Sequence, residues 1–205
     1  EGGTATVAHD PTGGLAGGLW SGGLPFGLPG DQRKEDAYSL VYVSKPLDAD
    51  LSIIGNPKCA VTVSSTMSVA SVVAKLSDVA PDGQAALVSR GVFNLTRRNR
   101  LSASEAVEPG ARYEIEIELD ATAWRFEAGH RIRLALSGAD FPNSWPSPEV
   151  GELTFHFGAD AASAGAGLRP AATLGLPIAP DDAGKPPSFI DAPALSKPGF
   201  DPDQD

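Results

Sequence analysis

The stretch Tyr113-Glu114-Ile115-Glu116-Ile117-Glu118-Leu119 decides the fold class. A strand sends successive side chains to opposite faces, so Tyr113, Ile115, Ile117 and Leu119 share one side and the glutamates share the other. That is a half-buried strand. Arg131-Ile132-Arg133-Leu134-Ala135-Leu136 repeats the alternation with arginines in the polar phase. Antiparallel pairing of the two would set Glu against Arg on the wet face, each pair contributing about 0.2–1 kcal/mol. The expectation requires Glu116 and Arg133 to share a sheet.

Outward from this pair the chain reads as further short β-branched runs. They are Tyr38 to Val43, Leu51 to Ile54, Cys59 to Val63, Val69 to Leu76, Ala86 to Leu95, Leu153 to Phe157 and Thr173 to Ile178. Turn residues bound each run, the spacing of a sandwich or barrel. No helix longer than a turn or two is expected, because Gly 23 and Pro 18 make a fifth of the 205 residues and both disfavour helix interiors. Residues 1–34 carry ten of the 23 glycines and no apolar period, so they read as a glycine-rich loop or lead-in. Residues 35–180 form the β-sandwich. Residues 181–205, with five prolines and six aspartates, read as a tail unable to build a ladder.

Composition narrows the function classes. Lys+Arg 16 against Asp+Glu 26 gives a net charge of −10, which disfavours nucleic acid and anionic membrane surfaces as partners. No apolar run has the length of a membrane helix. The single cysteine, Cys59, excludes an intramolecular disulfide framework and a multi-thiolate zinc site, and its apolar surroundings make it a small core residue. His9, His130 and His156 are far apart and show no metal-ligand spacing, so neither metal nor cofactor is expected. His9 reads as loop, His130 as a ring bonded to loop backbone, and His156 as an outward strand residue. The segments Asp78 to Gly83 and Ala139 to Asn143 read as turns whose aspartates cap their own backbone. Arg97-Arg98-Asn99-Arg100 reads as a solvated loop or an intramolecular salt-bridge patch. Asn94-Leu95-Thr96 is a formal glycosylation sequon on a strand end.

A serine hydrolase of the α/β class presents its nucleophile on G-x-S-x-G. That sequence is missing: Gly18-Leu19-Trp20-Ser21-Gly22 has the wrong spacing, and no residue is assigned as catalytic. The chemistry-bearing side chains that remain are aromatic. Trp20, Phe26, Trp124, Phe126, Phe141 and Trp145 lie in or beside loops, with Trp124, Phe141 and Trp145 the loop aromatic candidates, suited to sugar stacking, a domain interface or loop anchoring.

Several motifs in order resemble the C-terminal domain of the CocE/NonD hydrolases, the family of cocaine esterase, α-amino-acid ester hydrolases and Xaa-Pro dipeptidyl-peptidases. They include Asp31-Gln32-Arg33, Ala37 to Tyr42, Pro46 to Leu51, Lys75 to Val79 with Pro81-Asp82-Gly83, and Arg90-Gly91. The most specific run is Ala123-Trp124-Arg125-Phe126-Glu127-Ala128-Gly129-His130-Arg131-Ile132-Arg133-Leu134, followed by Ser137, Asp140-Phe141-Pro142 and Trp145-Pro146. The resemblance implies an all-β, antiparallel jelly-roll sandwich of the galactose-binding-like kind, with the catalytic triad on an upstream α/β-hydrolase domain. It also implies that this chain alone is inactive. Its partners would then be that domain and, through it, a small ester or peptide substrate, with a homo-oligomer also open. Leu19, Trp20, Leu24 and Phe26 of the lead-in become candidates for the domain interface or the acyl pocket. A carbohydrate-binding module is the alternative, and a free-standing interaction protein a third reading. Cellular location stays open, with the bacterial cytoplasm favoured over secretion.

Overall fold

A computed structural model describes residues 3–18, 28–158 and 172–180. Eleven strands are described, and every pairing among them is antiparallel. They are β1 (Gly3–Ala8), β2 (Leu40–Val43), β3 (Leu51–Gly55), β4 (Lys58–Ser65), β5 (Ser71–Val79) and β6 (Ala85–Asn94), then β7 (Arg112–Glu118), β8 (Thr122–Phe126), β9 (Arg131–Ser137), β10 (Glu152–Phe157) and β11 (Ala172–Gly175). One sheet runs β1-β10-β4, with β11 beside β10 on the same flank of β4 and β7 on the other flank. The second runs β2-β9-β5-β6, and β3-β8 form a short third.

Period-2 alternation makes the core. Cys59, Val61, Val63, Ile115, Ile117, Leu153 and Phe155 from the first sheet share one buried cluster with Val72, Ala74, Leu76, Leu134 and Leu136 from the second. Ile53 and Phe126 of the short sheet join the same cluster. The chain is an all-β antiparallel sandwich, as the alternation predicted. Cys59 is fully buried, and burial pushes its thiol up to about 12, so at neutral pH it is not a nucleophile.

Four expectations are corrected here. Glu116 and Arg133 lie on different sheets: Glu116 pairs with Lys58 at 2.8 Å, while Arg133 is buried against Asp36. The glycine-rich lead-in is not all loop, since β1 pairs with β10 over Gly3↔Phe157 to Ala8↔Glu152. Trp124 and Phe126 are strand residues of β8, opposite Ile53 and Leu51. His156 points away from the core but is buried, its Nε2 2.8 Å from Ser64 Oγ.

Candidate functional site

The second sheet turns one face to the core, and its other face carries cations. Lys75 on β5 and Arg90 on β6 are directly opposite each other, and Arg133 of β9 projects from the same face two positions from Lys75's partner Ala135. Like charges facing across strands destabilise a sheet. The carboxylates that offset them come from outside it. Asp140, fully buried in the loop after β9, sits with Oδ1 2.6 Å from Lys75 Nζ and Oδ2 3.3 Å from Arg90. Asp36, on the 3₁₀ turn Gln32–Tyr38, takes Arg133. Asp140 is therefore an ion-pair partner, which overturns its reading as a turn cap.

The same 3₁₀ turn ties down the lead-in. Asp31 caps it by accepting Arg33 N–H, and the Arg33 guanidinium beside Asp31 holds that carboxyl well below the usual range. Glu35, nearly buried, accepts the backbone N–H groups of Gly14 at 2.6 Å and Ala16 at 2.7 Å. Gln32 Nε2 donates to the carbonyls of Gly17 and Gly30 at 3.0 and 2.9 Å. Phe141 N–H donates to Gly13 at 2.8 Å, so the lead-in is stitched to the Asp140 loop. Glycine is required at Gly14, where φ is +104° and a Cβ would stand 2.6 Å from the Asp140–Phe141 backbone.

Gly18 and Leu28 meet at this root: φ at Gly18 is +83°, and a Cβ there would lie 2.5 Å from Leu28 O. Asn143 Nδ2 reaches Gly18 O at 3.3 Å. Beside this root the Phe141–Pro142 bond is cis, and the rings of Phe141 and Trp145 pack 5.8 Å apart with a 53° tilt. Trp145 is 87% exposed, and Leu28 and Leu15 are exposed on the same lead-in. Two buried amide oxygens here, Gln32 Oε1 and Asn143 Oδ1, have no hydrogen-bond partner among the described residues. Such atoms are uncommon in folded proteins and call for an explanation.

The sequence candidates divide. Leu19, Trp20, Leu24 and Phe26 lie outside the described residues. Phe141 and Trp145 are brought together at the root, while Trp124 is elsewhere. Its indole donates to Asp78 Oδ2 at 3.0 Å, and Asp78 Oδ1 lies 2.9 Å from His130 Nδ1. Asp78 is thus a buried strand residue of β5 rather than a turn cap, and His130 bonds a carboxylate rather than loop backbone. The arginine run is an intramolecular patch: Arg98 and Arg100 each lie 3.7 Å from Glu105, and Arg98 stacks over Tyr113 at 4.8 Å. Lys75, Arg90, Glu35, Gln32 and Asn143 were not singled out from sequence. Four of them lie in or beside family motifs, but nothing in linear spacing shows that Lys75, Arg90 and Asp140 share one point in space.

The buried ion cluster anchors the loop that carries half-buried Phe141 and exposed Trp145. The fold that holds it is an antiparallel β-sandwich domain. The family model for the X-Pro dipeptidyl-peptidase C-terminal non-catalytic domain matches residues 2–173, and the chain belongs to that family. Cocaine esterase of Rhodococcus sp. (strain MB1 Bresler) is 33% identical over 118 residues, covering 56% of this chain and 20% of that protein. Among solved structures, an aminopeptidase from a marine sediment Thaumarchaeota archaeon superposes with TM-score 0.72 at 20% identity, over 88% of this chain and 34% of that one. An α-amino acid ester hydrolase gives TM-score 0.72 at 19% identity, over 86% and 33%. These likenesses show the fold. The chain spans about a fifth of the length of the curated relatives it matches.

Proposed function

We propose that this chain is the accessory C-terminal domain of a serine hydrolase that cleaves small esters or Xaa-Pro peptides. It packs on an α/β-hydrolase domain preceding it in the same protein and helps to enclose the acyl pocket. The observation that carries the reading is Trp145, 87% exposed yet stacked on Phe141 and fixed by a loop whose Asp140 is fully buried. An exposed indole packed against a neighbouring ring suits the anchor of an interface, because aromatic side chains dominate binding hot spots. Gln32 Oε1 and Asn143 Oδ1, without a hydrogen-bond partner among the described residues, lie at the same end of the molecule. Leu19, Trp20, Leu24 and Phe26 belong to the segment that leaves this root at Gly18 and returns at Leu28, and they are the proposed contacts to the pocket. Acyl transfer through an acyl-enzyme would then be the work of the upstream domain.

The test is labelling of the 205-residue chain with a fluorophosphonate, beside turnover of a p-nitrophenyl ester. Neither labelling nor turnover is expected. Stoichiometric labelling of any serine would show a nucleophile in this domain and overturn the accessory reading.

A further inference from the structure

A groove of about 380 Å³ opens between the two sheets, lined by Tyr42 and Val43 of β2, Ile132 and Leu134 of β9, Phe157 of β10 and Leu174 of β11. Tyr42 is 39% exposed and Val43 50%, and Tyr42 meets Phe157 edge-on at 5.9 Å. Both walls are sheet edges: among the described strands, β2 has β9 on one side only, and β11 has β4 on one side only. Edge strands with apolar side chains and unpaired backbone groups are templates for another strand.

The register says which strand. His156 of β10 pairs with Thr62, and Ala172 of β11 takes the next position, Val61, so β10 and β11 form one interrupted line along β4. β1 runs antiparallel along the outside of β10 and reaches the break at Gly3↔Phe157. A strand continuing β1 in the same direction beyond Gly3 would run along β11 and into the groove. Gly3 stands at the break, the residue type that a bulge accepts.

We propose that the groove between β2 and β11 receives, as an added strand, the stretch of chain that leads into β1 from the preceding domain. The connector then becomes part of the sandwich, tethering the two domains by backbone pairing as well as by the aromatic face. The proposal rests on the accessory-domain reading in one respect, that such a preceding domain exists.

The test compares hydrogen exchange in the 205-residue chain with that in the same chain extended by about ten residues of its own upstream sequence, the length of a long strand. Amides of Ala172–Gly175 that point away from β4 are expected to exchange at least tenfold more slowly in the extended chain, and Leu174→Asp to abolish the difference while β7 stays protected. Equal exchange in the two chains, or slowing that survives Leu174→Asp, would overturn the proposal. Whether the upstream sequence encodes an α/β-hydrolase domain is read separately, so failure of the strand and failure of the accessory reading are told apart.

Discussion

Asp140→Ala is expected to destabilise the domain by about 3–5 kcal/mol, the cost of breaking a buried ion pair by removing one partner. The physical reason is the register of β5 and β6. Lys75 and Arg90 face each other across the pair, and the Asp140 carboxylate is the group between them. Without it two nearly buried cations are left to repel each other. Urea unfolding of the variant measures the loss, and a change under about 1 kcal/mol would contradict the reading. Replacing the network by apolar side chains behaves differently, since buried ion pairs exchanged for well-packed hydrophobics are often neutral or better. Asp140→Leu combined with Lys75→Met and Arg90→Met should therefore recover most of the stability that Asp140→Ala loses.

Glu35→Ala is the second large effect, expected at about 2–4 kcal/mol, because two charge-assisted hydrogen bonds are lost and the N–H groups of Gly14 and Ala16 are orphaned. Unlike Asp140, Glu35 holds the lead-in rather than the sheet. Limited proteolysis should accordingly cut the variant between residues 12 and 30 under conditions that leave the parent intact. Gly14 touches the Asp140–Phe141 backbone, so the two sites share a partner. The double variant should lose measurably less than the sum of the singles. Strict additivity, or a Glu35→Ala protein as protease-resistant as the parent, would show that the carboxylate does not tether this segment.

The fold class was legible because it rests on local alternation, which β7, β9 and β10 display in their own residues. Strand partners were not legible in the same way. Glu116 and Arg133 looked complementary, but which strands meet is set by the order in which the chain crosses between sheets, and that order is non-local. β1 was hidden by composition: Gly3, Thr4, Ala5 and Thr6 offer little apolar contrast, and the strand is specified by β10 rather than by itself. β8 was hidden by brevity and by turn residues on both flanks. The buried polar residues misread most consistently were Asp78, Asp140 and His156. A carboxylate two or three positions before a Pro, as Asp140 and Asp78 are, looks like a turn cap unless its distant partner is known, and those partners, Lys75 and Arg90 for Asp140, Trp124 and His130 for Asp78, are each more than ten positions away. Family motifs marked several of these positions without saying what they touch.

The Phe141–Trp145 end of this domain is proposed to be covered by a hydrolase domain in the complete protein, and the most direct test is Trp145→Ala made there. Because Trp145 is 87% exposed here, the variant of the isolated domain should unfold as the parent does. In the complete protein a buried aromatic anchor is worth about 2 kcal/mol or more. The expected result is a lower thermal transition together with a fall in kcat/KM, with Trp20→Ala and Phe26→Ala acting in the same direction. A complete protein whose kcat/KM and unfolding are both unchanged by Trp145→Ala would contradict the account.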